Sequence, residues 1–162
     1  MSEQKGKIKP IALLLCDDVR KEVTQKEIYV GVFTHGVAVT NVPAQLVLSV
    51  VFLFESVAIG EVEIEIEFRD PDGNSMGKIG ASIHITGVSK PMHFETMAIS
   101  GLIVRLPKAG DGSVVVRQNN GEWEKVRGFD IQVLKTLPGQ DAIPRASILQ
   151  PPPFEQSQPA SS

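Results

Sequence analysis

Glu61-Val62-Glu63-Ile64-Glu65-Ile66-Glu67-Phe68 is the stretch that decides the fold. Every second residue is apolar and every other one is acidic. Successive side chains of a strand point to opposite faces, so Val62, Ile64, Ile66 and Phe68 share one face and the glutamates the other. A helix would scatter the same residues around its circumference. Asp70-Pro71-Asp72-Gly73 follows at once. Proline pre-sets φ, aspartate accepts local backbone hydrogen bonds and glycine tolerates the exit geometry, which together make a tight turn. Past it, Ile79, Ala81, Ile83 and Ile85 alternate with Lys78, Gly80, Ser82, His84 and Thr86. This second run is the hairpin partner of the acidic strand.

The same period recurs outward from that hairpin. Gly87 to Pro91 interrupts it before a strand over 93–106, in which Gly101 marks a bulge. Val114 to Arg117 leads through Asn119-Asn120-Gly121 into Glu122 to Val126. Asn-Gly suits the positive φ angles of a type I′ hairpin turn. Phe129, Ile131 and Val133 then alternate with Asp130 and Gln132 as a last strand. Upstream, strands are expected over 8–16, 28–34 and 46–55. About eight strands, with no amphipathic helix, predict an all-β fold: a single antiparallel β-sandwich of Greek-key or Ig/C2-like type.

The expected organisation is a flexible head over 1–7, the sandwich over 8–135 and a disordered tail over 136–162. That last stretch holds prolines 138, 144, 151, 152, 153 and 159 and ends in Ser-Gln-Pro-Ala-Ser-Ser. Such chain makes few ladder hydrogen bonds and buries too little to offset its ordering entropy. Ile143, Ile148, Leu149 and Phe154 are its apolar exceptions.

With 162 residues, 42% of them hydrophobic and 22% charged, the chain is long enough for one sizeable core. A net charge of −3 argues against nucleic acid or an anionic membrane as partner. One cysteine excludes an intramolecular disulfide framework, which points to the cytoplasm. Lysines ahead of Ile11 to Leu15 loosely imitate an export signal. The apolar run is shorter than the roughly 7–15 residues such a signal needs, and a bulky Leu15 precedes Cys16.

Two strands break the alternation. Leu46-Val47-Leu48-Ser49-Val50-Val51-Phe52-Leu53-Phe54 and Ile11-Ala12-Leu13-Leu14-Leu15-Cys16 are apolar on both faces. An antiparallel strand with one wet face should alternate. Either loops or the tail cover the second face, or it is a contact surface for a partner or a second copy. Leu13, Leu15, Val47, Val51 and Leu53 are the interface candidates.

Motifs with chemistry are sparse. Asp70, Asp72 and Asn74 have the spacing of a calcium loop, but Ser75 and Ala81 stand where such a loop needs glycine and glutamate. Asp17, Asp18, Asp70, Asp72 and Asp111 supply residue types for a cation site assembled from separate loops. His84, His93 and Glu95 form a two-histidine, one-carboxylate set if residues 87–92 close a hairpin with His84 opposite Glu95. A one-residue slip of that register removes the set. Cys16 lies within an apolar strand, where a thiol is usually inert. His35 has no evident partner, and nucleophile-elbow, phosphate-loop and dinucleotide patterns are absent. The glutamate row reads as a solvated face that also discourages edge aggregation. One Trp123 and one Tyr29 are few for a stacking platform.

The opening Lys9-Pro10-Ile11-Ala12-Leu13-Leu14-Leu15-Cys16-Asp17-Asp18-Val19-Arg20, followed by Ile28-Tyr29-Val30-Gly31-Val32-Phe33, resembles a bacterial family of small β-sandwich proteins of unknown function. The likeness runs over roughly residues 9–135 and includes the alternating strand, the DPDG turn and the C-terminal hairpin. It implies the fold and assigns no site. The expected function is therefore a non-enzymatic binding or structural module acting through an apolar sheet face, with no cofactor. The alternatives are a loop-based calcium or small-ligand binder using Asp17, Asp18, Asp70 and Asp72, and a hydrolase built on His84, His93 and Glu95.

Overall fold

The computed structural model describes residues 5–24 and 26–134, and every regular element in them is a strand. Ten strands follow in order: β1 (Lys7–Cys16), β2 (Asp18–Lys21), β3 (Glu27–Val30), β4 (Gly36–Val39), β5 (Ala44–Ala58), β6 (Gly60–Arg69), β7 (Ser75–Ile85), β8 (Glu95–Leu106), β9 (Gly110–Gln118) and β10 (Glu124–Val133). They form a three-stranded sheet ordered β1-β5-β8, a five-stranded sheet ordered β4-β10-β9-β6-β7, and a small β2-β3 hairpin. All pairings are antiparallel except β4 with β10, which is parallel.

The acidic strand is β6, and its alternation does what the pleat requires. Val62, Ile64, Ile66 and Phe68 are all at most 1% exposed, while Glu61 and Glu63 face solvent. They meet Leu48, Val50, Phe52 and Phe54 of β5 and Leu13 and Leu15 of β1 in one core between the two sheets. Phe52 stacks on Phe54 and Phe68 meets Phe129 edge to face. Burying large side chains in this way supplies about 1.5–3 kcal/mol each, the main favourable term in the fold.

Several expectations need correction. There are ten strands rather than eight, because β2 and β4 have four residues each and were not anticipated. The strand expected over 28–34 stops at Val30. Phe129 to Val133 is not a separate strand but the second half of β10, and the extra residue Val126 makes a bulge that restores the alternation. The bulge at Gly101 is present, with φ +74° and one extra residue on β8 opposite Leu48–Val50. In the β9–β10 turn the positive φ angles fall on Asn119 and Asn120, and Gly121 follows them, donating its N–H to Gln118 O. The head reaches less far than 1–7: Lys5 bridges to Glu61, Gly6 N–H donates to Glu61 O at 2.8 Å, and Lys7 begins β1. The segments 1–4 and 136–162 lie outside the described residues.

Candidate functional site

The candidate residues read from the sequence scatter across the structure. Asp70 is 7% exposed, and its carboxylate accepts N–H groups from Asp72 (2.9 Å) and Asn74 (2.8 Å). Burial acts to raise its pKa. The Asn74 side-chain and backbone bonds and the nearby Lys108 charge outweigh that and hold it below the usual range. This is turn chemistry. Asp72 pairs with Lys108, while Asp17 and Asp18 lie at the β1–β2 junction, where Asp18 pairs with Arg20. Among the described residues no three His, Cys, Asp or Glu side chains come together as a metal site would require.

The His84–His93–Glu95 set fails at the register it needs. β7 pairs with β6 and β8 pairs with β5, so the two strands belong to different sheets and His84 does not face Glu95. His84 Nδ1 lies 2.7 Å from Glu61, which is its cross-strand partner. Glu95 instead accepts hydroxyl bonds from Ser56 (2.5 Å) and Ser89 (3.2 Å). His93 sits in the exposed loop between β7 and β8, and the His35 ring has the Thr34 hydroxyl as its hydrogen-bond partner among the described residues.

The interface candidates divide. Leu13 and Leu15 point into the core. Val51 faces the other way yet is fully buried, as are Ser49 beside it and Cys16 opposite Ser49. On this side β2, the first strand of the β2–β3 hairpin, packs against β5 and β8. Leu53 is half-buried. Val47 is 56% exposed and stands opposite Ile103, itself 51% exposed, so an exposed apolar pair remains on β5 and the β8 rim.

That rim belongs to the flank of the sandwich that the described residues leave open. Two sheets present four edges: β1, β8, β4 and β7. The β1 edge is capped. Gln118 accepts the Ile8 N–H (3.1 Å) and donates to Ile8 O (3.0 Å), Arg127 donates to Leu13 O (3.0 Å), and Phe33 N–H donates to Leu15 O (2.8 Å). β4 is four residues long, and β8 is distorted by its bulge. β7 has neither protection. From Gly77 to Ile85 it pairs regularly with β6, and its other edge has no backbone partner among the described residues. Its core-facing Ile79 and Ile83, together with Met97 and Ile99 of β8, pack against the core but stay partly exposed.

The outward face of this flank is a charge lattice with a gap. Glu65 accepts from Arg117 and from Lys78 (2.5 Å), Glu67 pairs with Arg69 (2.8 Å), and Glu61 accepts from Ser82 and His84. Hydrogen bonds from Arg117, then Lys78, hold the Glu65 carboxyl down at about 2. Trp123 lies under the same cations, with Arg117, Arg69 and Lys78 at 4.6, 5.1 and 5.4 Å from its ring centre. Gly80 stands opposite Glu65 and Ser82 opposite Glu63. These small side chains leave an open notch of about 360 Å³ between Glu63, Glu65, Ser82 and Asn120. Glu63 has no cationic partner among the described residues, and only the Asn120 amide approaches its carboxylate, at 3.5 Å.

Sequence reasoning did not find this flank. The signal was Gly80, since a glycine inside an otherwise regular strand often marks close approach of another backbone. Among the described residues, fold and surface together define an all-β sandwich with one capped flank and one open, apolar and acid-notched flank. The chain belongs to a family of unknown function, DUF6941, whose model matches residues 11–132, nearly the whole sandwich. This bears out the resemblance to an uncharacterised family. No curated protein matches the chain. Among the described residues no helix is long and apolar enough to cross a membrane.

Proposed function

We propose that this domain is a non-enzymatic binding module that works by protein–protein contact through the β7–β8 flank. The observation that supports the reading is the incomplete cover, among the described residues, of core-facing Ile79, Ile83, Met97 and Ile99 at the β7 and β8 sheet edges. The exposed Val47–Ile103 pair stands on the outer face of β5 and β8, and Ile103 also lines a groove of about 640 Å³ with Gly77, Lys78 and Arg105 at the start of β7. An apolar patch rimmed by charge is the usual make-up of a protein contact surface. The apolar sheet face expected from sequence thus contracts to its Val47 end.

The test compares proteins retained from extract by the full chain and by a Val47→Glu, Ile103→Glu double variant. Both side chains already meet water, so the melting temperature should stay within a few degrees of wild type. A partner held by wild type and lost from the variant is the expected result. Identical sets on both baits would remove this flank as the contact surface.

A further inference from the structure

We propose that the β7 edge takes up an extended segment of a partner protein as a sixth strand of the five-stranded sheet, and that this segment alternates apolar with basic residues. The proposal rests on the protein-contact reading and specifies its geometry and the chemistry of the partner.

Three observations converge on the same edge. The first is the backbone. An unpaired strand edge exposes a row of N–H and C=O groups that templates another strand, and folded proteins normally blunt it. Here β1 is capped by Gln118, Arg127 and Phe33, β4 is short and β8 is bulged. Among the described residues only β7 offers a regular run. The β8 backbone closes on its start, where a Cβ at Gly77 would meet Ile103 O at 3.0 Å, so the open part is Lys78–Ile85. Gly80-Ala81-Ser82 at its centre carries neither charge nor bulk.

The second is the layer beneath. Side chains alternate across a sheet, so an added strand directs every second residue inward, beside Ile79, Ala81 and Ile83. Those positions are only partly buried, and Met97 and Ile99 on β8 are partly exposed on the same flank. Apolar residues at the inward positions complete a layer that the described residues leave unfinished.

The third is charge. The outward residues of an added strand lie next to Lys78, Gly80, Ser82 and His84. Lys78 and His84 already pair with Glu65 and Glu61. Between them, Gly80 and Ser82 open the notch to Glu63 and Glu65. β6 is about 9–10 Å from an added strand, two strand spacings, within the joint reach of a lysine or arginine and a glutamate. Glu63, which has no cationic partner among the described residues, is the acceptor such a side chain would meet, whereas an acidic segment would face the glutamate row and be repelled.

The test uses the full chain and three synthetic ten-residue peptides: alternating valine and lysine, alternating valine and glutamate, and the valine–lysine composition in two blocks. The alternating valine–lysine peptide is expected to bind and to slow hydrogen exchange of the Lys78–Ile85 amides, while the other two do neither. A Gly80→Arg variant fills the notch with a side chain of its own. A Cβ at Gly80 meets only Ile64 O, at 3.8 Å, so the variant has room to fold. It is expected to keep its melting temperature and to weaken peptide binding about tenfold or more. The mapping of protected amides on wild type does not depend on that variant. Absence of binding, equal binding of the glutamate or blocked peptide, or binding without β7 protection would overturn the proposal. So would β7 protection that grows with protein concentration alone, which would assign the edge to a second copy. A natural partner lost from Val47→Glu, Ile103→Glu but retained by Gly80→Arg would sink strand addition and leave the contact reading intact.

Discussion

Glu65 shows how a single position in the acidic row differs from its neighbours. All four glutamates of β6 point outward, but Glu65 alone lies between two cations, Arg117 on β9 and Lys78 on β7. Their hydrogen bonds lower its pKa to about 2. Since the folded value lies below the ordinary one of about 4.3, the stabilisation from this network is fully present above that range. It is lost as pH falls toward 2. A carbon-detected NMR titration should place the Glu65 carboxyl midpoint near 2 in wild type. In Arg117→Ala it should move up toward the ordinary carboxylate value. A midpoint that does not move would show that Arg117 is not the cause. The sequence made the outward orientation of all four glutamates legible, because period two is a local property. It did not reveal which cation meets which carboxylate, since that depends on the register of β6 against β9, strands about 50 residues apart in the chain.

At the scale of elements, the β2–β3 hairpin accounts for the apolar outer face that the sequence left open. Its first strand packs against β5 and β8 on the side where Val51, Ser49 and Cys16 are buried, with Val19 paired to Tyr29 on its half-buried side. Burial, then the charges of Asp17 and Asp18, push the Cys16 thiol above its usual pKa, so its nucleophilic thiolate is scarce. Alkylation of Cys16 should be slow in the native protein. Val19→Asp places a charge on the covered side. A loss of ~1–2 kcal/mol in local stability would speed labelling about five- to thirtyfold. Labelling as fast in native wild type as in denaturant would show that the hairpin is not a cover. Elements fixed by local chemistry, the β6–β7 and β9–β10 hairpins and the Gly101 bulge, were readable because their turn residues are adjacent in sequence. β2 and β4 were not, because four residues carry too little pattern and gain their order from tertiary pairing. The His84–Glu95 register failed for a related reason. Residues 87–92 read as a hairpin loop, but the connection from Ile85 to Glu95 carries the chain from one sheet to the other.

The whole molecule is asymmetric in how its flanks are closed, and none of that closure is local in sequence. Arg127 holds the β1 side through Leu13 O, Phe33 O and Thr34 O, more than ninety residues away along the chain. Its guanidinium is desolvated there, which lowers its pKa, and no carboxylate pairs with it among the described residues. Arg127→Ala leaves those carbonyls without their donor and should cost ~1–3 kcal/mol. Arg127→Lys should recover only part, because an ammonium cannot reproduce the planar fork. The open flank should respond in the opposite direction. Gly80 has ordinary backbone angles and space for a Cβ, so nothing in the fold requires glycine there. Gly80→Thr should stabilise the domain by ~0.5–1 kcal/mol, through lower unfolded-state entropy and better strand propensity. If stability alone had shaped this strand, glycine would be a poor choice. A site that must admit another backbone explains it, and stability is commonly surrendered at sites of function. Chemical denaturation of the two variants against wild type reads both signs. Gly80→Thr more stable yet weaker for the alternating valine–lysine peptide is the expected pair of results. A destabilised Gly80→Thr would mean that the glycine serves the fold rather than an incoming strand.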